Sequence, residues 1–243
     1  MITARFVMTN KGQIYLSGAM EHASDGTLGA GWRAKLSQAL TKMGYQPLDI
    51  TAMDVAYQAE YGDLFNVDKL YYGEELQRKS NIRKHFISAD LKLLENDTDA
   101  MVILYDEGVQ KGAGSLSECQ HAYNLGIPIF LVNGLGEGMD GLPGWLVALT
   151  TKIFDNFDWL LLYLDDLPTG ILTKDVYGNR STGHQYLCSL CGSPFTKNKH
   201  HYVSTISPLY CGGCVEMVAE TNEAHPDRYE FFVKNCLITK EED

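Results

Sequence analysis

Long apolar runs are missing from this 243-residue sequence. No stretch approaches the roughly 20 residues that a membrane-spanning helix needs. The run DWLLLYL at 158–164 falls far short. The first residues, MITARFVMTNKG, lack the apolar core of a secretion signal. Basic residues are sparse as well: 20 Lys and Arg stand against 31 Asp and Glu, a formal charge of −11. That balance argues against broad, non-specific binding to nucleic-acid backbones or anionic membranes, although it leaves room for a local basic patch. Internal repeats and low-complexity tracts are absent too. A cytosolic globular protein is the resulting expectation.

Hydrophobic residues make up 45% of the chain, enough for a sizeable core. The length suits one large domain, or one medium domain followed by a small one. QIYLSGAM (13–20) reads as a strand ending in a Ser-Gly turn. In GAGWRAKLSQALTKMGY (29–45), Trp32, Leu36, Ala39, Leu40 and Met43 recur at helical spacing, and Gly44 stops the helix. QPLDI (46–50) is a plausible second strand. Residues 51–78 show no clean period and read as an irregular loop or insertion. A helix is expected over 80–98 and a buried strand over 99–106. A turn, a helix over 115–125 and a strand over 127–132 follow. A Gly-rich loop (134–144) and one or two helices (145–164) close this part of the chain.

Alternating helices and continuously apolar strands predict a parallel sheet covered on both faces. The size suits a five-stranded Rossmann/flavodoxin-like α/β domain over 1–165, a linker over 166–183 and a C-terminal module over 184–243. Ligands of such sheets bind beyond the carboxyl ends of the strands. That rule brings Ser17, Gly18, Asp106 and the 112–118 turn to one rim.

The turn reads KGAGSLSE (111–118). Gly112 and Gly114 permit close backbone approach to a ligand. Ser115 followed three residues later by Glu118 has the form of a capping box, so Glu118 is either a helix-start acid or a reactive group. A helix N-terminus at this place also suits an anionic or hydroxyl-rich ligand.

Three segments in order, IYLSGAM (14–20), SADLKLLENDTDAMVILYD (88–106) and GAGSLSECQHAYNLGIPIFLV (112–132), resemble the nucleoside 2-deoxyribosyltransferase family and its nucleotide N-glycosidase relatives. GAGWRAKL (29–36) looks like the Trp-Arg segment of several phage-type members. The resemblance covers about residues 13–165. It implies an enzyme that cleaves the N-glycosidic bond of a (deoxy)nucleoside or nucleoside 5′-monophosphate and passes the sugar to a base or to water. Glu118 would match the nucleophile, Tyr15 the aromatic that contacts it, and Asp90 the acid near base and sugar. Asp106 could bind a sugar hydroxyl or protonate the leaving base. The family's acid within the Gly-rich turn is replaced here by Gln110 and Lys111, so the general acid is either Asp90 or Asp106. Ser17, Ser115 and Ser117 are candidates for a 5′-phosphate, with Arg33 adding charge. Gly18, Met20 and Trp32 complete the expected substrate contacts. Trp145 stands in the region where the family borrows an Asn from a neighbouring subunit. A homo-oligomer is implied, and no organic cofactor.

Six cysteines are present. CSLC (188–191) and CGGC (211–214) are nineteen residues apart. Two CxxC turns at such spacing make a tetrahedral four-thiolate zinc site from Cys188, Cys191, Cys211 and Cys214. Four protein ligands leave no open position, so this zinc is structural. A redox CxxC is the alternative. Zinc ribbons often mediate interactions, and Lys197, Lys199, His200 and His201 form a small basic patch. Cys119 and Cys236 read as ordinary buried cysteines. Two further functions fit the pattern: a nucleotide-binding regulator of the same fold that contacts partners through the zinc module, and a zinc-ribbon nucleic-acid protein.

Overall fold

Ile14, Tyr15 and Leu16 are all fully buried in β1 (Gln13–Gly18), the strand from which the site is built. A strand apolar on both faces belongs inside a sheet covered on two sides. The computed structural model describes residues 11–20, 22–23, 29–61, 72–172, 185–187 and 192–196. The chain divides into two units, Met1–Asp165 and Asp166–Asp243. Among the described residues no helix is long and apolar enough to cross a membrane.

In the first unit β1 is followed by α1 (Ala30–Lys42), β2 (Gln46–Leu48), α2 (Thr51–Tyr61), α3 (Tyr72–Asn81) and, after a π-helical turn over Ile82–Ile87, α4 (Ser88–Asp97). Then come β3 (Ala100–Tyr105), α5 (Glu107–Lys111), α6 (Gly114–Asn124), β4 (Ile129–Asn133), α7 (Gly144–Leu149), β5 (Lys152–Phe154) and α8 (Phe157–Asp166). The five strands pair in the order β2-β1-β3-β4-β5, all parallel. This is a flavodoxin-like order, which the sequence pattern alone does not reveal, and its direction reverses between β1 and β3. The crevice at that reversal, beyond the strand ends, is where such sheets take ligands. The apolar runs of β3 and β4 fill the middle of the sheet, and Leu94 and Cys119 pack on it from α4 and α6.

Three expectations need correction. Among the described residues of 51–78 there is no irregular loop, because α2 and the first turns of α3 occupy them. The Asp49 carboxylate accepts from the Thr51 amide (3.0 Å) and hydroxyl (2.6 Å), and this side-chain turn starts α2. The helix expected over 80–98 is not continuous but widens into the π turn. There His85 stacks on Tyr61 (4.7 Å between ring centroids) and lies 4.8 Å from Tyr57, so α2 is tied to the widened turn. Residues 145–164 hold more than helices. A short edge strand, β5, separates α7 from α8, and Phe154 on it packs with Phe130 and Tyr163.

In the second unit β6 (Gln185–Leu187) and β7 (Pro194–Thr196) pair antiparallel. The CSLC motif occupies the connection between them. Cys188, Cys191, Cys211 and Cys214 lie outside the described residues, as do Cys236 and the basic patch at 197–201.

Arg33 on α1 holds the end of β1 in place. Its side chain is fully buried and donates to the carbonyls of Leu16 (3.2 Å), Gly18 (2.8 Å), Ala19 (3.5 Å) and Gly29 (3.1 Å). The Leu16 and Gly18 carbonyls lie past Tyr15, the last β1 residue in register with β2, the Ala19 carbonyl follows the strand, and Gly29 is the N-cap of α1; buried carbonyls in such places need a donor from elsewhere. Gly29 is left-handed (φ 72°), and a Cβ there would run into the Arg33 guanidinium and the Ala19 carbonyl. Each buried carbonyl left without a donor costs about 1–3 kcal/mol. Arg33→Met should therefore lower the unfolding free energy by at least about 3 kcal/mol, read from urea denaturation, with no compensating change in slope. Arg33→Lys should recover only part of this, since an ammonium lacks the planar fork that reaches several carbonyls at once. A loss under about 1 kcal/mol for Arg33→Met would show that the clasp is dispensable.

Candidate active site

A cavity of about 560 Å³ opens at the carboxyl ends of β1 and β3. Polar groups reach it from β1 (Ser17), α1 (Arg33), α2 (Asp54), α4 (Asp90) and α6 (Glu118). Apolar residues, including Ile50, Phe86 and Leu91, form much of the rest of its wall.

Glu118 is not a capping-box acid. The N-cap of α6 is Ala113, and no side chain caps the helix. Glu118 instead turns toward β1. Its Oε1 accepts from the Tyr15 hydroxyl (3.0 Å) and its Oε2 from the Ser17 hydroxyl (2.6 Å). The two donors sit two residues apart on one strand, hence on the same face of the sheet. Each carboxylate oxygen is thus held by one donor. Burial raises Glu118 above the ordinary carboxyl range, while the Ser17 and Tyr15 hydrogen bonds and the nearby Arg33 charge pull it back down.

Two further acids share the cavity. Burial, then the Glu118 charge, pushes Asp54 up to about 7. Burial, then the charges of Glu118 and Asp54, pushes Asp90 up to about 8. The Oδ1 atoms of both are buried with no hydrogen-bond partner among the described residues. Three carboxyls in one apolar enclosure cannot all ionise cheaply. Glu118 is the one supplied with donors and a nearby cation, so it carries the first negative charge, and the two aspartates hold their protons toward neutral pH.

The remaining expected residues divide. Gly18, Met20, Gly112, Gly114, Ser115 and Ser117 all line the cavity. A Cβ at Gly114 would meet no protein atom within 4 Å, so packing does not demand that glycine and the space in front of it is open. The Ser117 hydroxyl donates back to the Ala113 carbonyl (2.9 Å), which leaves Ser115 as the serine of the turn with an uncommitted hydroxyl among the described residues. Ser17 also lines the cavity, with its hydroxyl proton committed to Glu118. Arg33 reaches the cavity wall, but its donors are engaged by the backbone carbonyls, so it is neither solvated nor offered to a phosphate. Trp32 does not line the cavity. It stacks on Phe157 (5.6 Å) and covers Gly18, where a Cβ would come within 2.8 Å of its ring. Asp106 does not line it either, because its Oδ1 caps α5 by accepting from the Val109 amide (3.0 Å). Tyr15 lies behind Glu118, buried in β1, and orients it without facing the cavity.

Asp54 escaped the sequence reading because the helix that carries it did. The signal was the spacing: Thr51 and Asp54, three apart, are both buried on α2. Gln120, His121 and Asn124 also reach the cavity from later turns of α6. His121 pairs with Glu95 (3.2 Å), and the exposed Trp145 donates to Gln120 (3.1 Å). Cys119, next to the nucleophile candidate, is buried, and burial raises its thiol further out of the reactive range. Among the described residues no group of three or more His, Cys, Asp or Glu side chains is arranged to hold a metal. No protein-family model matches the chain, and no curated sequence matches it.

The raised aspartates have a consequence for stability. In the unfolded chain both lose their protons near pH 4. In the fold they keep them to about 7 and about 8. The folded state binds more protons across that window, so stability falls as the pH rises from about 4 to about 8. Urea midpoints should be higher at about pH 5 than at about pH 8, and Asp54→Asn should flatten the difference. A variant with the same pH slope as wild type would mean that Asp54 does not hold a proton in the folded protein.

Proposed function

We propose that the first unit cleaves the N-glycosidic bond of a (deoxy)nucleoside or nucleoside 5′-monophosphate, with Glu118 as the nucleophile. The observation that carries this reading is the Glu118 carboxylate, held by the Tyr15 and Ser17 hydroxyls at the sheet's reversal point, with a second, proton-bearing carboxyl in the same cavity. Paired carboxyls whose environments separate their ionisation are the mark of an acid and a nucleophile working together. The resemblance to nucleoside 2-deoxyribosyltransferases assigns the same roles to Glu118 and Asp90.

In the first step a Glu118 oxygen bonds to the anomeric carbon as the carbon–nitrogen bond breaks. The electron pair of that bond goes to the base, and the Asp90 proton neutralises it. The transition state resembles an oxocarbenium ion, which the acidic cavity stabilises. In the second step water, or the nitrogen of another base, attacks the anomeric carbon. It gives its proton to Asp90 and releases Glu118. The uncapped start of α6, with Gly112, Gly114 and Ser115, offers backbone N–H groups suited to a 5′-phosphate or a sugar hydroxyl. By the same resemblance the enzyme works as a homo-oligomer.

Incubation with deoxynucleosides, their 5′-monophosphates and NAD, with and without an acceptor base, should release free base that chromatography detects. Glu118→Ala should cut the rate by roughly 10³-fold or more. Asp90→Asn should cut it by about 10²–10⁴-fold. Wild-type activity should also decline above about pH 8, where Asp90 loses its proton, and the variant's residual rate should lack that alkaline limb. Base release from none of these substrates, or release untouched by Glu118→Ala, would defeat the nucleophile assignment.

For the second unit we assign Cys188, Cys191, Cys211 and Cys214 to one structural zinc ion. The support is their C-x2-C-x19-C-x2-C spacing and the place of the first pair in the connection between β6 and β7. Metal analysis of freshly reduced protein should give about one zinc per chain; a metal-free preparation with four titratable thiols in these positions would reject the site.

A further inference from the structure

Asp54 has no part in the two steps above, yet it is the more deeply buried of the cavity's two aspartates, only 2% exposed. Its Oδ1 and that of Asp90 are both buried and without a partner among the described residues, and both residues line the same cavity. An unpartnered buried acceptor costs about 1–3 kcal/mol, and native interiors rarely leave one. Two such atoms in one enclosure require an occupant that brings hydrogen-bond donors. The surrounding wall narrows the choice. Ile50 precedes Asp54 by one turn, and Phe86 and Leu91 flank Asp90 in sequence. A sugar presents hydroxyls on every side and is poorly served by apolar walls. An aromatic base buries its two faces against them and needs partners only at its edge.

We infer that Asp54 contacts the leaving base and selects bases that carry an exocyclic amino group over their oxo counterparts. The unpartnered oxygen accepts an N–H of that amine. Above about pH 7, where the Asp54 carboxyl has given up its proton, an oxo group at the same place brings an acceptor against an acceptor, and a site built for one pattern rejects the other because its own buried atom stays unpaired. This inference rests on the glycosidic reading, since it assumes that the cavity holds a nucleoside.

The test compares substrate pairs that differ by amino against oxo: deoxyadenosine with deoxyinosine, and deoxycytidine with deoxyuridine. Assayed between about pH 7 and about pH 8, where Asp54 is ionised and Asp90 keeps its proton, wild type should favour the amino member of at least one pair by about 10-fold or more in kcat/KM. Asp54→Asn, whose amide can donate, should shrink that preference at least about tenfold or invert it. The ribose forms of the same nucleosides serve as a control, and the ribose-to-deoxyribose ratio should not change in the variant. Equal rates within both pairs, a preference that survives Asp54→Asn, or a change confined to the ribose ratio would each overturn the assignment of Asp54 while Glu118 keeps its role. Calorimetry with free adenine and hypoxanthine reads the same selectivity without turnover. Tighter binding of adenine that Asp54→Asn abolishes supports the inference. Equal or absent binding of both bases overturns it. Base release insensitive to Glu118→Ala strikes the glycosidic reading instead, and is thereby told apart.

Discussion

The clasp of Arg33 on the carbonyls at the end of β1 is the interaction on which the site depends. A parallel strand satisfies its backbone groups only as far as its neighbours extend. Where β1 runs past its pairing with β2, the carbonyls of Leu16, Gly18 and Ala19 take their donors from one guanidinium. The same side chain brings a positive charge near Glu118. One buried residue therefore does two things: it fixes the path of the segment that carries Ser17, and it lowers the energy of the charged form of the acid that Ser17 holds. Trp32 covers the clasp from the outside, its ring against Gly18 and its face over the Arg33 guanidinium at 4.6 Å.

Around that fixed point the cavity is organised by unequal access to donors. Glu118 has two hydroxyls and a nearby cation; Asp54 and Asp90 each leave an oxygen without a partner among the described residues. Acids of one chemical type thereby acquire different protonation at the same pH, which is how a single apolar enclosure presents both a carboxylate and a carboxylic acid. The electrostatic cost is carried by a sheet whose central strands are apolar on both faces.

The sheet was legible in the sequence because its strands are continuously apolar, a pattern that only a two-sided interior explains. Ser17 and Glu118 were legible as neighbours because strand ends in such sheets converge on one rim, and Tyr15 joined them only through the family resemblance. Their roles were less so. Ser17 looked like a phosphate contact, since nothing in a linear pattern says that a strand residue points at a glutamate about a hundred positions away. Arg33 and Trp32 looked ligand-facing for the same reason, and their true partners are backbone carbonyls and Phe157. Asp90 and Asp106 stood level until α5 appeared. That short helix begins where β3 ends and takes the Asp106 carboxylate as its cap. Asp54 stayed hidden because the Tyr- and Asp-rich stretch around it showed no clean helical period.

The π turn between α3 and α4 gives the acid arrangement an unusual kind of sensitivity. Each residue in an α-helix advances the facing direction by roughly 100°. A turn that closes on i+5 instead of i+4 takes up one residue more than the regular ladder. The faces of α3 and α4 are therefore out of phase by about one such step, and Asp90 of α4 lines the cavity while no residue of α3 does. The direction of Asp90 is thus written in the chain partly as a count of residues. Phe86 in the core and His85 against Tyr61 anchor the turn, and the loss of a single position would restore a regular helix and turn the carboxyl away.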